Sequence, residues 1–92
     1  MTLTIKATDL DLTPSLKVYI EKKLGPLALF VKRFDNGVAE LRVEVGRVSR
    51  HHKHGEVFVA EANLRLPKKV LRAVERRDDA REAIDAMKRT LK

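Results

Sequence analysis

The 92-residue chain lacks cysteine and tryptophan and has one tyrosine, three phenylalanines and four glycines. Without cysteine, disulfide bonds and thiolate-bound metals are excluded. The glycines, at positions 25, 37, 46 and 55, form no phosphate-binding fingerprint. The longest apolar run, Leu27 to Val31, is far too short to cross a bilayer. The start, MTLTIKATDL, does not have the pattern of a signal peptide. Because aromatic residues are few, we expect one small domain with a core built mainly from Leu, Val, Ile and Ala.

Positive charge is in excess. The chain has 20 Lys and Arg against 13 Asp and Glu, a formal net charge of +7. This balance favours a polyanionic partner such as RNA, DNA or an acidic membrane surface.

No spacing suggests a Ser-His-Asp arrangement, so we expect no enzyme, no cofactor and no small-molecule substrate.

Three segments alternate between apolar and polar residues, which is typical of half-buried strands. They are Thr2 to Thr8, Val38 to Val45 and Phe58 to Leu66, and Val70 to about Arg76 is predicted to be the last strand. The residues predicted to face the core are Leu3, Ile5, Ala7, Ala39, Leu41, Val43, Val45, Phe58, Ala60, Ala62, Leu64, Leu66, Leu71 and Ala73.

Two segments have the three-to-four-residue periodicity of amphipathic helices. The first begins after Thr13 as N-cap, with Pro14 at its first position, and runs to about Arg33. We expect a kink at Gly25-Pro26. The second begins after Asp78 as N-cap. The predicted apolar stripes are Leu16, Ile20, Leu24, Leu27, Val31 and Phe34 in the first helix, and Ala80, Ala83, Ile84, Met87 and Leu91 in the second.

The order β-α-β-β-β-α, with one apolar face on every element, predicts an α+β fold. We expect a two-layer sandwich in which two helices cover one face of a four-stranded sheet. Residues 1–92 are predicted to form a single domain.

The helices carry the candidate RNA-binding cations. On a helical wheel, Arg81, Lys88 and Lys92 fall in a narrow sector beside the second stripe, and Asp85 and Arg89 adjoin it. The first helix offers Lys22, Lys23, Lys32 and Arg33. If the helices pack side by side, these cations frame a groove suited to phosphates. The alternative is an ordinary solvated surface.

The segment GRVSRHHKHGE is predicted to be a hairpin loop of roughly ten residues, longer than usual. Its Arg47, Arg50 and Lys53 are candidate RNA-binding residues. It also holds His51, His52 and His54, whose spacing can suit zinc or nickel. The neighbouring cations disfavour a metal, so we predict no metal site.

The outer face of the sheet is predicted to carry charges of both signs. Lys6, Arg42, Arg65 and Arg72 are predicted to lie there with Glu40, Glu44 and Glu61. Exposed aromatic residues for stacking RNA bases are lacking. Val57 and Val59 are a small apolar exception that can pair subunits or fit a strand edge.

Two segments, TPSLKVYIEKKLGPLALFVKRF and LPKKVLRAVERRDDAREAID, together with the order of elements, resemble the ribosome hibernation-promoting factor family. This family is also called ribosome-associated inhibitor A or sigma-54 modulation proteins. Lys23-Leu24 and Leu27 match its Lys-Leu-x-x-Leu pattern, and Ala83-Ile84-Asp85 matches the Ala-Ile-Asp of its last helix. The chain departs from the family at Asp79-Ala80-Arg81, where Asp-Met-Tyr is usual. It also ends at Lys92, whereas family members extend the last helix.

The resemblance implies a cytoplasmic protein that binds the small ribosomal subunit in the channel used by mRNA and tRNA. It implies rRNA contacts by Lys22, Lys23, Lys32 and Arg33 of the first helix and by Lys88 and Arg89 of the last, holding idle ribosomes inactive. We expect the free protein to be a monomer and not to bind membranes. There are two alternative functions. One is a general double-stranded-RNA-binding module that uses the same basic helical face, and the other is a homo-oligomeric interaction protein that uses Val57, Val59 and the sheet edge.

Overall fold

The computed structural model describes the backbone of residues 2–35, 39–49 and 56–91. Within these ranges it describes the side chains except those of residues 28, 30, 32–35, 49 and 56.

The described elements follow the predicted order. They are β1 (Thr2–Thr8), α1 (Pro14–Asp35), β2 (Glu40–Ser49), β3 (Glu56–Leu66), β4 (Lys69–Arg77) and α2 (Ala80–Leu91). The sheet order is β1-β2-β3-β4, with β1 parallel to β2 and the other neighbours antiparallel. The α1 crossover makes the parallel pairing possible, because two adjacent parallel strands cannot be joined by a tight turn.

Rows of paired residues cross the inner face of the sheet. One row joins four leucines, Leu3, Leu41, Leu64 and Leu71. The next row includes Ala62 and Ala73, whose small side chains let α2 approach β3 and β4, over which it lies. Both helices and the inner face therefore share one core, which confirms the predicted two-layer sandwich. The buried core residues are Leu16, Ile20, Leu24, Leu27, Val31, Ala39, Leu41, Val43, Val45, Ala60, Ala62, Leu64, Ala73, Ala83, Ile84, Met87 and Leu91.

Helix α1 continues through Gly25 and Pro26 to Asp35. Pro26 lies on the exposed side, where water can reach the carbonyl that loses its backbone donor. The N-cap is the predicted one, since Leu16 N donates to Thr13 Oγ1 at 3.1 Å. Since α1 reaches Asp35, it ends two residues later than the predicted Arg33. The kink at Pro26 stays a prediction.

The predicted N-cap of α2 is wrong by one residue. Glu82 N donates to the Asp79 carboxylate at 3.0 Å, which is the contact between an N-cap side chain and the third helical amide. Asp79, and not Asp78, directly precedes the first helical residue, Ala80.

The hairpin between β2 and β3 is also longer than predicted. Pairing continues through Gly46↔Val59, Arg47↔Phe58 and Val48↔Val57 to Ser49↔Glu56. The β-branched side chains of Val48 and Val57 favour this extended pairing. Because the strands reach Ser49 and Glu56, the predicted ten-residue loop is too long at both ends.

Candidate nucleic-acid interface

The two helices lie side by side on the inner face of the sheet and contact each other. Polar side chains from both helices meet where the helices touch. Helix α1 contributes Ser15, Tyr19 and Lys23, which are spaced four residues apart and so share one face. We call the surface lined by six residues of the two helices the interhelix cleft. These residues are Tyr19, Lys23, Arg81, Asp85, Lys88 and Arg89.

Asp85 of α2 receives two donors from α1. The Tyr19 hydroxyl donates to Asp85 Oδ1 at 2.7 Å, and Lys23 Nζ lies 3.5 Å from the same oxygen. Burial raises the pKa of Tyr19 above its usual 10.0, and the hydrogen bond to Asp85 and the charge of that carboxylate raise it further. The carboxylate therefore ties the two helices together through one aromatic and one cationic side chain.

Arg81 lies over the ring of Tyr19. Its Cζ is 4.8 Å from the ring centroid, and its Nη2 donates to Ser15 Oγ at 3.0 Å. Lys23 Nζ is 5.5 Å from the same centroid. Both cations are thus held near the negative face of the ring, while Arg81 stays exposed to solvent.

At the other end of the cleft, Lys23, Asp85, Lys88 and Arg89 line an open depression of about 210 Å³. Lys88 is half-buried and Arg89 is exposed. The six residues of the cleft include four cations, Lys23, Arg81, Lys88 and Arg89, and one carboxylate, Asp85, so the cleft is positively charged. Asp79 near Tyr19 and Glu75 near Arg89 reduce this charge from outside the cleft. Such a surface can neutralise phosphates without reading base sequence.

The predicted site residues have different outcomes. Lys23, Arg81, Lys88 and Arg89 come together in the cleft, whereas Lys22 is exposed on α1. Lys32 and Arg33 lie in the described backbone of α1, but their side chains are outside the described set. Arg50, Lys53, Lys92 and the three histidines lie outside the described residues. The RNA-binding roles of Arg50, Lys53 and Lys92 and the absence of a metal site at the histidines therefore stay predictions.

The assignment of Arg47 to a loop is wrong. Arg47 lies on β2 and pairs with Phe58 of β3, since the strands continue past the point at which the polar sequence suggested that they end. It is an exposed residue near the end of the hairpin.

The outer face of the sheet carries charges of both signs, as predicted. Arg42 Nε lies 2.5 Å from Glu40 Oε1, and Arg72 Nε donates to Glu61 Oε1 at 2.9 Å. Val48, 49% exposed, pairs with Val57 on this face, and Val59 and Val74 are half-buried nearby. Two arginines of this face, Arg42 and Arg72, therefore have a glutamate partner.

Three residues of the cleft and its border had no assigned role from the sequence: Ser15, Tyr19 and Asp85. The available signal was their position, since all three lie beside the apolar stripes at helical spacing. Only packing of the two helices brings them into contact, because Tyr19 and Asp85 are 66 residues apart.

Within residues 2–35, 39–49 and 56–91, no group of three His, Asp or Glu residues is arranged to hold a metal ion. In the same part of the chain, neither helix combines the length and apolar character needed to cross a membrane.

Comparison with known proteins supports a ribosome-associated family. Residues 3–92 match the family model described as "Sigma 54 modulation protein / S30EA ribosomal protein". Curated protein sequences gave no match.

Two solved structures have the same fold. The N-terminal domain of Thermus thermophilus Protein Y has a TM-score of 0.74 at 24% identity, over 97% of this chain and 89% of that one. A ribosomal subunit interface protein from Coxiella burnetii has a TM-score of 0.74 at 19% identity, over 99% and 89%.

Proposed function

We propose, because the chain belongs to the Sigma 54 modulation protein / S30EA ribosomal protein family, that it binds the small ribosomal subunit and holds idle ribosomes inactive. Binding takes place in the channel used by mRNA and tRNA, where rRNA phosphates line the walls. Residues 1–92 are the ribosome-binding unit, acting in the cytoplasm as a monomer that needs no cofactor and catalyses no reaction.

The observation that carries this proposal is the charge of the interhelix cleft. Lys23, Lys88 and Arg89 gather around one depression, and Arg81 is held beside them on Tyr19. On the outer sheet face, by contrast, Arg42 pairs with Glu40 and Arg72 pairs with Glu61. A polyanion is therefore attracted to the helical side, and mainly through its phosphates.

Cosedimentation with small ribosomal subunits at several salt concentrations tests the proposal. If about five phosphates are contacted, log affinity falls with log salt at a slope of roughly −4 to −5. A flat dependence on salt contradicts a phosphate-binding surface.

A charge-matched pair of variants locates the surface. Lys88→Gln/Arg89→Gln and Arg42→Gln/Arg72→Gln each remove two positive charges, the first from the cleft and the second from the outer sheet face. We expect the first to weaken binding and to make the salt slope shallower by roughly 0.7–0.9 for each phosphate that is no longer neutralised. The second leaves the slope unchanged. Equal effects indicate that only net charge matters.

Protein-free double-stranded RNA separates the proposal from a general RNA-binding module. A ribosome-specific protein binds the small subunit more tightly than an RNA duplex at the same salt. Equal affinity for both supports recognition of A-form RNA by shape alone.

A further inference from the structure

The single acid of the interhelix cleft, Asp85, is placed where it opposes the proposed function. A carboxylate among four cations repels an approaching phosphate and weakens the local positive potential. Its side chain is 32% exposed, so solvent screens it only in part. Charge alone therefore argues against an acid at this position.

The contacts of Asp85, unlike its charge, favour phosphate binding. One oxygen, Oδ1, accepts the Tyr19 hydroxyl at 2.7 Å and faces Lys23 Nζ at 3.5 Å. The same tyrosine ring supports Arg81. The acid thus orders two cations, Lys23 directly and Arg81 through Tyr19.

We propose that Asp85 and Tyr19 are positioning residues, which hold Lys23 and Arg81 in the geometry that meets RNA phosphates in the interhelix cleft. This inference rests on the proposed function. Lysine and arginine side chains lose considerable rotamer freedom when they bind, and ordering them beforehand lowers that cost. The gain from order outweighs the repulsion by one partly exposed carboxylate.

Two substitutions at Asp85 distinguish order from charge. Asp85→Ala and Asp85→Asn both remove the negative charge, but only asparagine keeps an oxygen that can accept the Tyr19 hydroxyl. If charge decides, both variants bind small ribosomal subunits more tightly than the parent, and to the same extent. If position decides, Asp85→Ala binds about tenfold more weakly, as expected when two long side chains lose their order, and Asp85→Asn recovers much of the loss.

Tyr19→Phe removes the hydroxyl and keeps the ring below Arg81. We expect it to weaken binding by a smaller factor than Asp85→Ala. The factor by which Tyr19→Phe/Asp85→Ala weakens binding is smaller than the product of the factors for the two single variants. The reason is that both substitutions break the same hydrogen bond. Thr8→Val is the matched control, since it removes another hydroxyl-carboxylate hydrogen bond, from Thr8 to Glu44 at 2.6 Å on the sheet. This control binds like the parent.

The experiment measures dissociation constants for small ribosomal subunits at one salt concentration, with a thermal melt of each variant to show that it is folded. Folded Asp85→Ala that binds as tightly as the parent, or more tightly, overturns the inference and leaves the proposed function standing. A parent that does not bind ribosomal subunits overturns both. Weaker binding by Asp85→Ala with recovery by Asp85→Asn supports the inference.

Discussion

Tyr19 of α1 and Asp85 of α2 lie 66 residues apart in the chain and are joined by a hydrogen bond of 2.7 Å between the phenolic hydroxyl and Oδ1. This contact unites the two helices at the point where their cations gather. Tyr19 is also the only tyrosine, in a chain without tryptophan. Its absorbance and fluorescence therefore report on the interhelix cleft alone.

The first prediction concerns the titration of Tyr19. Burial and the hydrogen bond to Asp85 raise its pKa above 10.0, and we expect Asp85→Ala to shift the tyrosinate absorbance titration toward lower pH. Because the folded pKa is raised, the associated stability is present below the unfolded pKa and is lost as pH rises through the folded pKa. An identical titration in the parent and in Asp85→Ala contradicts the contact.

The second prediction concerns the core beneath α2. Ile84 is completely buried, whereas Leu29 on α1 is 71% exposed. Ile84→Ala opens a cavity and lowers the free energy of unfolding by about 2–5 kcal/mol, while Leu29→Ala costs under ~0.5 kcal/mol. Urea denaturation of both variants measures the difference. Similar midpoints for the two contradict the assigned burial.

The third prediction tests which aspartate caps α2. Asp79→Ala removes the acceptor for Glu82 N and lowers stability by about 1 kcal/mol. The neighbouring Asp78→Ala is the control and has an effect close to zero, since the Asp78 side chain is exposed and directly precedes the cap. Thermal or urea unfolding of the pair decides, and a larger loss in Asp78→Ala makes Asp78 the cap.

The fourth prediction concerns Glu75 of β4. The hydrogen bond donated by Thr90 Oγ1 at 2.6 Å, followed by Arg77, lowers the pKa of Glu75 below its usual 4.5. The associated stability is therefore present above the unfolded pKa and is lost as pH falls through the folded pKa. We expect Thr90→Val, which keeps the β-branched shape, to melt below the parent at neutral pH and close to it in acid.

Glu75→Gln is the control for this titration, because its side chain has no carboxylate to protonate. The difference between Glu75→Gln and Glu75→Gln/Thr90→Val should not depend on pH. A gap between the parent and Thr90→Val that stays constant into acid shows that the hydrogen bond does not depend on the charge of Glu75.

Local periodicity was sufficient to predict the order of elements and most of the core. Leu16, Ile20 and Leu24 lie on one side of a helix for the same geometric reason in any protein, and the alternation of Leu41, Val43 and Val45 defines the inner face of a strand. The cap at Thr13 was also predictable, since its side chain acts on an amide only three residues away.

Boundaries were predicted less well where polar residues occupy regular structure. Arg47 looked like a loop residue because charged residues follow it, yet pairing with Phe58 extends the strand. Asp78 and Asp79 are both aspartates next to the start of α2, so the sequence alone does not show which of them is the N-cap. The start of the helix at Ala80 decides between them, because only the residue before the first turn can reach its free amides.

The sequence by itself determined the fold class, the two apolar stripes and a strongly basic character, because each depends on composition or on neighbours a few residues apart. Tertiary structure alone decided which cations stand together and what holds them. The carboxylate of Asp85 reaches Tyr19 and Lys23 only when α1 and α2 pack side by side on the same sheet. No local pattern specifies that contact, since it depends on the relative position of two helices whose packing surfaces are set by the shared core.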